Sequence, residues 1–189
     1  MQNVSTLFKQ ASKSNSRELI LRIEITTEDG KAYSLGPEDI SQGSVTWQSR
    51  CFSSRFELGN AMADDFAFSL KNFDGEWDEV NLSGATVKPY SGFMLEDGSK
   101  EYVPLGNFVV DKQSRPNVIV QIKCSDRMIL LDEPFSKVPL TFPASLSRIA
   151  QTVSSYCNVP LSTSFVTNDY TINERPEDDV TCRDIIGDT

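Results

Sequence analysis

The sequence predicts a mainly β protein of the α+β class: an antiparallel β-barrel over residues 18–132, then the start of a smaller α/β domain over residues 133–189. Three observations predict it. Short runs of alternating apolar and polar residues recur through the first two thirds of the chain, as half-buried strands require. Gly, Pro, Asn and Asp clusters break those runs at close intervals. Near residue 144 the apolar period changes from that of a strand to that of a helix.

Residues 1–17 precede the first strand as a flexible basic arm. Residues 1–23 carry Lys9, Lys13, Arg17 and Arg22 against Glu18, so this head is net +3 while the remainder is −12. The stretch "STLFKQASKSNS" is rich in Ser, Lys and Asn, which suits a solvated, partly disordered segment; a basic arm could also lie on an acidic neighbour.

The strands follow. "ELILRIEITTEDGKAYSL" alternates through Leu19, Leu21, Ile23 and Ile25, breaks at Asp29-Gly30, and resumes at Tyr33 and Leu35, a hairpin pattern. "GPEDISQGSVTWQSRCF" leads into a strand with Val45 and Trp47. "RFELG" and "DFAFSLKNF" alternate again, with Phe66, Phe68 and Leu70 on one face. A second turn falls at Glu96-Asp97-Gly98, and an Arg-Pro-Asn turn separates strands around Val109 and residues 118–122. Seven to nine short strands within residues 18–125 suggest an antiparallel barrel or sandwich. Leu146, Ile149, Ala150, Val153, Tyr156 and Cys157 then mark an amphipathic helix over about residues 144–157, entered through Pro143. A second helix starts near 180, capped by Asp179 or Thr181, with Cys182, Ile185 and Ile186 as its apolar positions. The chain stops barely two turns into it, the pattern expected of part of a longer protein.

Composition removes several kinds of chemistry. The 189 residues contain no histidine, hence neither the commonest general base nor the commonest zinc ligand. Cys51, Cys124, Cys157 and Cys182 stand 73, 33 and 25 residues apart with no CxxC pair, and read as small apolar residues of a reducing cytosol. A net charge of −9 argues against nucleic acid or an anionic membrane as partner. No run approaches the length of a membrane span and no signal peptide opens the chain, so synthesis in the cytoplasm without Sec export is expected.

The stretch "NFDGEWDE" invites a calcium reading because oxygens flank a glycine. With Asn72 as position 1 of an EF-hand loop, Asp74 fits position 3, but Trp77 replaces the glycine of position 6 and Ser83 the glutamate of position 12. No metal or cofactor is expected. Asn72, Asp74, Gly75 and Trp77 read instead as a strand reversal and its anchor: Gly75 supplies positive φ, Asp74 bonds its own backbone, and Trp77 folds back. The acids Asp64-Asp65, Glu76/Asp78/Glu79, Glu96/Asp97 and Glu177-Asp178-Asp179 sit in turns or at a helix start, so no catalytic residue is assigned. Trp47, Tyr90, Phe93 and Tyr102 suit either a sugar-stacking platform or a core or subunit interface.

Taken in order, "FELGNAMADDFAFSLKNFDGEWDEVNLSGATVKPYSGF", "YVPLGNFVVDKQSRPNVIVQIKCSDRMILLD", a Pro-entered helix and "DDVTCRDIIG" resemble the N-terminal part of the bacteriophage or prophage tail and baseplate hub proteins, over roughly residues 18–187. The resemblance implies a tail-tube-like barrel interrupted by an α/β insertion and a structural, non-enzymatic virion part. It implies a homotrimer that joins the tail tube to the tip or to a receptor-binding or cell-wall-degrading apparatus, with other tail proteins as partners. The alternatives are a carbohydrate-binding β-sandwich for cell-wall attachment and a hydrolase using turn carboxylates.

Overall fold

The computed structural model describes residues 3–48, 64–161, 169–176 and 180–188. The expected "RFELG" strand, Cys51, and the acids Glu177, Asp178 and Asp179 lie outside the described residues. The chain divides into two compact units, one of residues 1–48 and 65–126, the other of residues 49–64 and 127–189.

In the first unit the alternating runs form one antiparallel sheet: β1 (Leu19–Thr26), β2 (Ala32–Leu35), β3 (Thr46–Gln48), β4 (Asp65–Lys71), β5 (Thr86–Met94), β6 (Lys100–Pro104), β7 (Phe108–Gln113) and β8 (Ile119–Asp126). The order is β2-β1-β5-β7-β8-β4-β3, with β6 also on β5. One edge of β5 is shared: Val87 pairs with Phe108 of β7, whereas Tyr90 to Met94 pair with β6.

Alternation decides which face is buried. Phe66, Phe68 and Leu70 of β4 point inward, as do Val120, Ile122 and Cys124 of β8. They meet Ile23, Ile25, Leu35, Val87 and Phe108 in one core, with the Phe66 ring 5.3 Å from Phe108. Each such side chain contributes about 1.5–3 kcal/mol of burial.

Two hairpin loops repeat one device. In residues 27–31 and 95–99 the sequence Glu-Asp-Gly lies between two residues that bond each other: Thr27 N–H donates to Lys31 O (2.9 Å) and Leu95 N–H to Ser99 O (2.8 Å). Each glycine N–H bonds back to the first residue of the loop. Both glycines have positive φ, +86° at Gly30 and +78° at Gly98. Asp97 accepts from Ser99 N–H and Oγ–H, and those bonds hold its carboxyl below the usual value.

The expected barrel does not close among the described residues. β2 and β3 are the ends of the path and do not pair. Residues 36–45 connect them: Ile40 bridges Leu70, and Ser41 N–H donates to Ser69 O (2.8 Å). The edges are therefore joined by chain, not by a ladder of hydrogen bonds. Pro37, which has no N–H to donate, stands at the start of this link. Ile40 still joins the core, so the interior is shared between both ends of the sheet.

The segment expected as a flexible arm contains a helix, α1 (Thr6–Lys13). Ser5 caps it by accepting from Phe8 N–H (3.0 Å) and donates its own N–H to Glu101 of β6 (2.8 Å). Phe8 packs on Phe93 with ring centroids 5.0 Å apart. Polar composition hid this because one cap and one aromatic contact hold the helix, which buries none of its residues.

The second unit opens with 3-10 turns at Arg127–Asp132 and Phe135–Lys137. A two-residue strand, β9 (Ala144–Ser145), leads into α2 (Leu146–Cys157); β10 (Thr171–Ile172) pairs with β9, and α3 (Cys182–Asp188) follows. α2 buries Leu146, Ile149, Ala150, Val153 and Cys157 against Leu131, Phe135 and Ile186. Tyr156, expected on that face, is 41% exposed. Asn158 in the left-handed region ends the helix. At α3, Thr181 is the cap: its Oγ accepts from Asp184 N–H (3.2 Å), while Asp184 accepts from Thr181 N–H (2.9 Å).

Candidate functional site

The 72–78 loop begins where β4 runs out. Asn72, 6% exposed, is the buried polar residue among the described residues of the first unit. Its backbone N–H donates to Val118 O (2.9 Å), which ties the loop to the start of β8. Its amide nitrogen donates to Asp78 Oδ1 (2.7 Å) and Asn117 O (2.9 Å), and its amide oxygen accepts from Trp77 N–H (2.8 Å). The side chain thus uses both donors and an acceptor, which buried polar groups must do to avoid a desolvation cost.

Gly75 lies at φ +73°. A side chain there would place its Cβ 3.0 Å from Asp78 Oδ2. Trp77 is 2% exposed and packs on Tyr33, centroids 5.0 Å apart. Asp74 is exposed and makes no hydrogen bond among the described residues, contrary to the expected bond to its own backbone. Asn72 does that work instead, with Asp78 and Asn117, which the sequence pattern did not single out. Phe73 is 71% exposed, and Val118 and Ile119 are 54% and 42% exposed.

The aromatic quartet is not one platform. Arg22 places its guanidinium over Tyr90 (4.7 Å) and Tyr102 (4.8 Å) and pairs with Glu24 at 3.2 Å. Tyr90 donates to Glu24 (3.0 Å), and that bond to a carboxylate pushes its hydroxyl up. Phe93 faces Phe8, and Trp47 is 48% exposed on β3.

Glu76, Asp78 and Glu79 are exposed, and no group of three or more His, Cys, Asp or Glu side chains gathers among the described residues. Two open grooves flank Glu79–Ser83. One, of about 380 Å³, is lined by Glu28, Asp29, Lys31 and Tyr33; the other, of about 510 Å³, by Asp111, Lys112 and Arg115. In the second unit a small apolar cavity of about 160 Å³ is lined by Phe135, Phe142, Leu146, Ile149, Tyr170 and Ile185. No helix among the described residues is long and apolar enough to cross a membrane. The geometry of the loop is that of an anchored strand reversal, with chemistry suited to holding backbone in place.

No family model and no curated protein matches the chain. Among solved structures it is similar to a chain of the virion of the native gene transfer agent particle, at TM-score 0.42 and 10% identity, over 65% of this chain and 44% of that one. It is also similar to chains of the Francisella PdpA–VgrG complex. The lidded form gives TM-score 0.41 and 9% identity over 78% of this chain and 20% of that one. The lidless form gives 0.39 and 10%, over 72% and 24%. The chain therefore spans less than half the length of each of these three chains.

Proposed function

We propose that this chain is the N-terminal part of a phage tail or baseplate hub protein: a structural, non-enzymatic subunit that assembles as a homotrimer. It joins the tail tube to the tip or to a receptor-binding or cell-wall-degrading apparatus, and other tail proteins are its neighbours in the virion tail. One observation carries the proposal. The stretches that make up the sequence resemblance fall, in order, on the joints of the fold. "NFDGEWD" is the reversal after β4, and "GATVKPY" enters and forms β5. "PLGNFVV" links β6 to β7, "DRMILLD" leaves β8 for the second unit, and "TCRDI" caps and opens α3. Residues at joints set how a chain turns, so an ordered set of them marks one architecture more specifically than any motif singly.

The carbohydrate-binding alternative has less behind it, because Tyr90 and Tyr102 clasp Arg22 and Phe93 is occupied by Phe8. Immunogold electron microscopy of purified tail particles, with antibody raised against this chain, tests the proposal. Label at one end of the tail is expected; particles that carry no label, while the chain stays in the particle-free fraction, overturn it.

A further inference from the structure

We propose that Cys157 and Cys182 are a latent disulfide pair, closed by a disulfide oxidant such as glutathione disulfide to staple α2 to α3. The argument starts from placement. Cys157 is the last residue of α2 and Cys182 the first of α3, with residues 158–181 between them in sequence. Both lie in the core of the second unit, 7% and 0% exposed. Both belong to the same buried cluster, at the end of one helix and the start of the next, and each thiol perturbs the other. Two sulfurs gathered in one core cluster have to approach to about 2.05 Å to be joined.

The surroundings permit that approach. Cys157 ends its helix, where the left-handed Asn158 lets the chain turn away. Cys182 is held from the other side by its own N–H, which donates to Glu133 O at 2.9 Å. Burial pushes both thiols up, Cys182 to about 12, so both stay protonated and slow to react inside a cell. Oxidation therefore follows sustained exposure to an oxidant.

The step balances as ordinary thiol–disulfide exchange. Cys157, the less buried of the two, loses its proton to solvent; its thiolate attacks one sulfur of glutathione disulfide and releases one glutathione thiolate. Cys182 then loses its proton and attacks the Cys157 sulfur of the mixed disulfide. The second glutathione thiolate leaves, both thiolates take up protons, and the protein has lost two hydrogen atoms. The bridge closes a long loop, and such cross-links stabilise by restricting the unfolded chain. The chemistry is independent of the assembly proposed above.

The test is peptide mapping of the full chain after incubation with glutathione disulfide at mildly alkaline pH. Remaining thiols are alkylated and the protein is digested without reduction. The expected product is a Cys157–Cys182 cross-linked peptide, with no glutathione retained at either position. The melting temperature should rise by several degrees, an increase that dithiothreitol reverses. C157A or C182A should each abolish that rise, while C124A leaves the cross-link in place; mapping of the unaltered chain stands whether or not these variants fold. The proposal is overturned by glutathione that stays attached to either cysteine, by a bridge from Cys51 or Cys124, or by both thiols unmodified once the unfolded chain has oxidised.

Discussion

Trp77 donates its backbone N–H to the side-chain oxygen of Asn72, five residues earlier, at 2.8 Å. That bond lets the chain reverse after β4 while Trp77 enters the core. Asn72→Ala leaves a buried donor unpaired and should cost about 1–3 kcal/mol. Asn72→Asp keeps the shape but replaces the donor aimed at the Asp78 carboxylate and the Asn117 carbonyl with an acceptor. The introduced carboxyl then has a folded pKa above its unfolded value of about 3.9. Its neutral form supports the fold below that value, and the support is lost as pH rises through the folded pKa. Urea titrations at acid and neutral pH check this: the Asn72→Asp deficit should shrink on acidification, and that of Asn72→Ala should not.

Gly75 holds φ +73° with Asp78 directly over it. Gly75→Val adds a β-branched side chain where even alanine is strained by about 1–2 kcal/mol. Soluble yield and melting temperature should fall sharply, read by circular dichroism. Treatment of the unaltered protein with EDTA should leave the melting temperature unchanged, because the loop is held by amide and carboxylate hydrogen bonds.

In the second unit Arg175 donates to three backbone carbonyls, those of Phe135 (3.0 Å), Val138 (3.0 Å) and Leu140 (2.6 Å). Its guanidinium also lies over the rings of Phe135 and Phe142, 5.2 and 5.6 Å from the centroids. A lysine cannot reproduce this planar fork. Arg175→Lys should cost about 2 kcal/mol, through lost charge-assisted bonds. Hydrogen exchange of residues 135–140 should speed up, with strands β1 and β5 unaffected.

Asp184 caps α3 together with Thr181. The Thr181 hydroxyl and N–H bond its carboxylate and hold its pKa below the usual value. A depressed folded pKa contributes stability above the unfolded pKa and loses it as pH falls through the folded one. Asp184→Asn should flatten this part of the acid limb of the stability profile. Thr181→Ala should cost about 1 kcal/mol at neutral pH. Thermal melts over a pH series read both.

Local signals carried much of this architecture. Phe66, Phe68 and Leu70 alternate in the sequence and line one buried face, because strand period is a property of the backbone. The Glu-Asp-Gly loops and Thr181 were legible for the same reason: turn and cap chemistry is completed within a few residues. What stayed hidden depends on distance. Asn117 lies 45 residues beyond Asn72, and the Arg175 partners lie 35 to 40 residues before it. Nothing local told Asn72, a donor to Asp78, from the exposed Asp74 two positions on. Closure of the sheet was beyond local pattern too, since alternation specifies which face is buried but not whether the outer edges pair. Helix α1 was missed because its support, Glu101 and Phe93, comes from the β5–β6 hairpin.

An assembling structural subunit must associate with copies of itself. Native mass spectrometry of the protein expressed with its natural flanking sequence tests that most directly. A homotrimer that persists on dilution to nanomolar concentration is the predicted result. A monomer at every concentration, together with glycan-array binding that Trp47→Ala abolishes, would instead mark a carbohydrate-binding module.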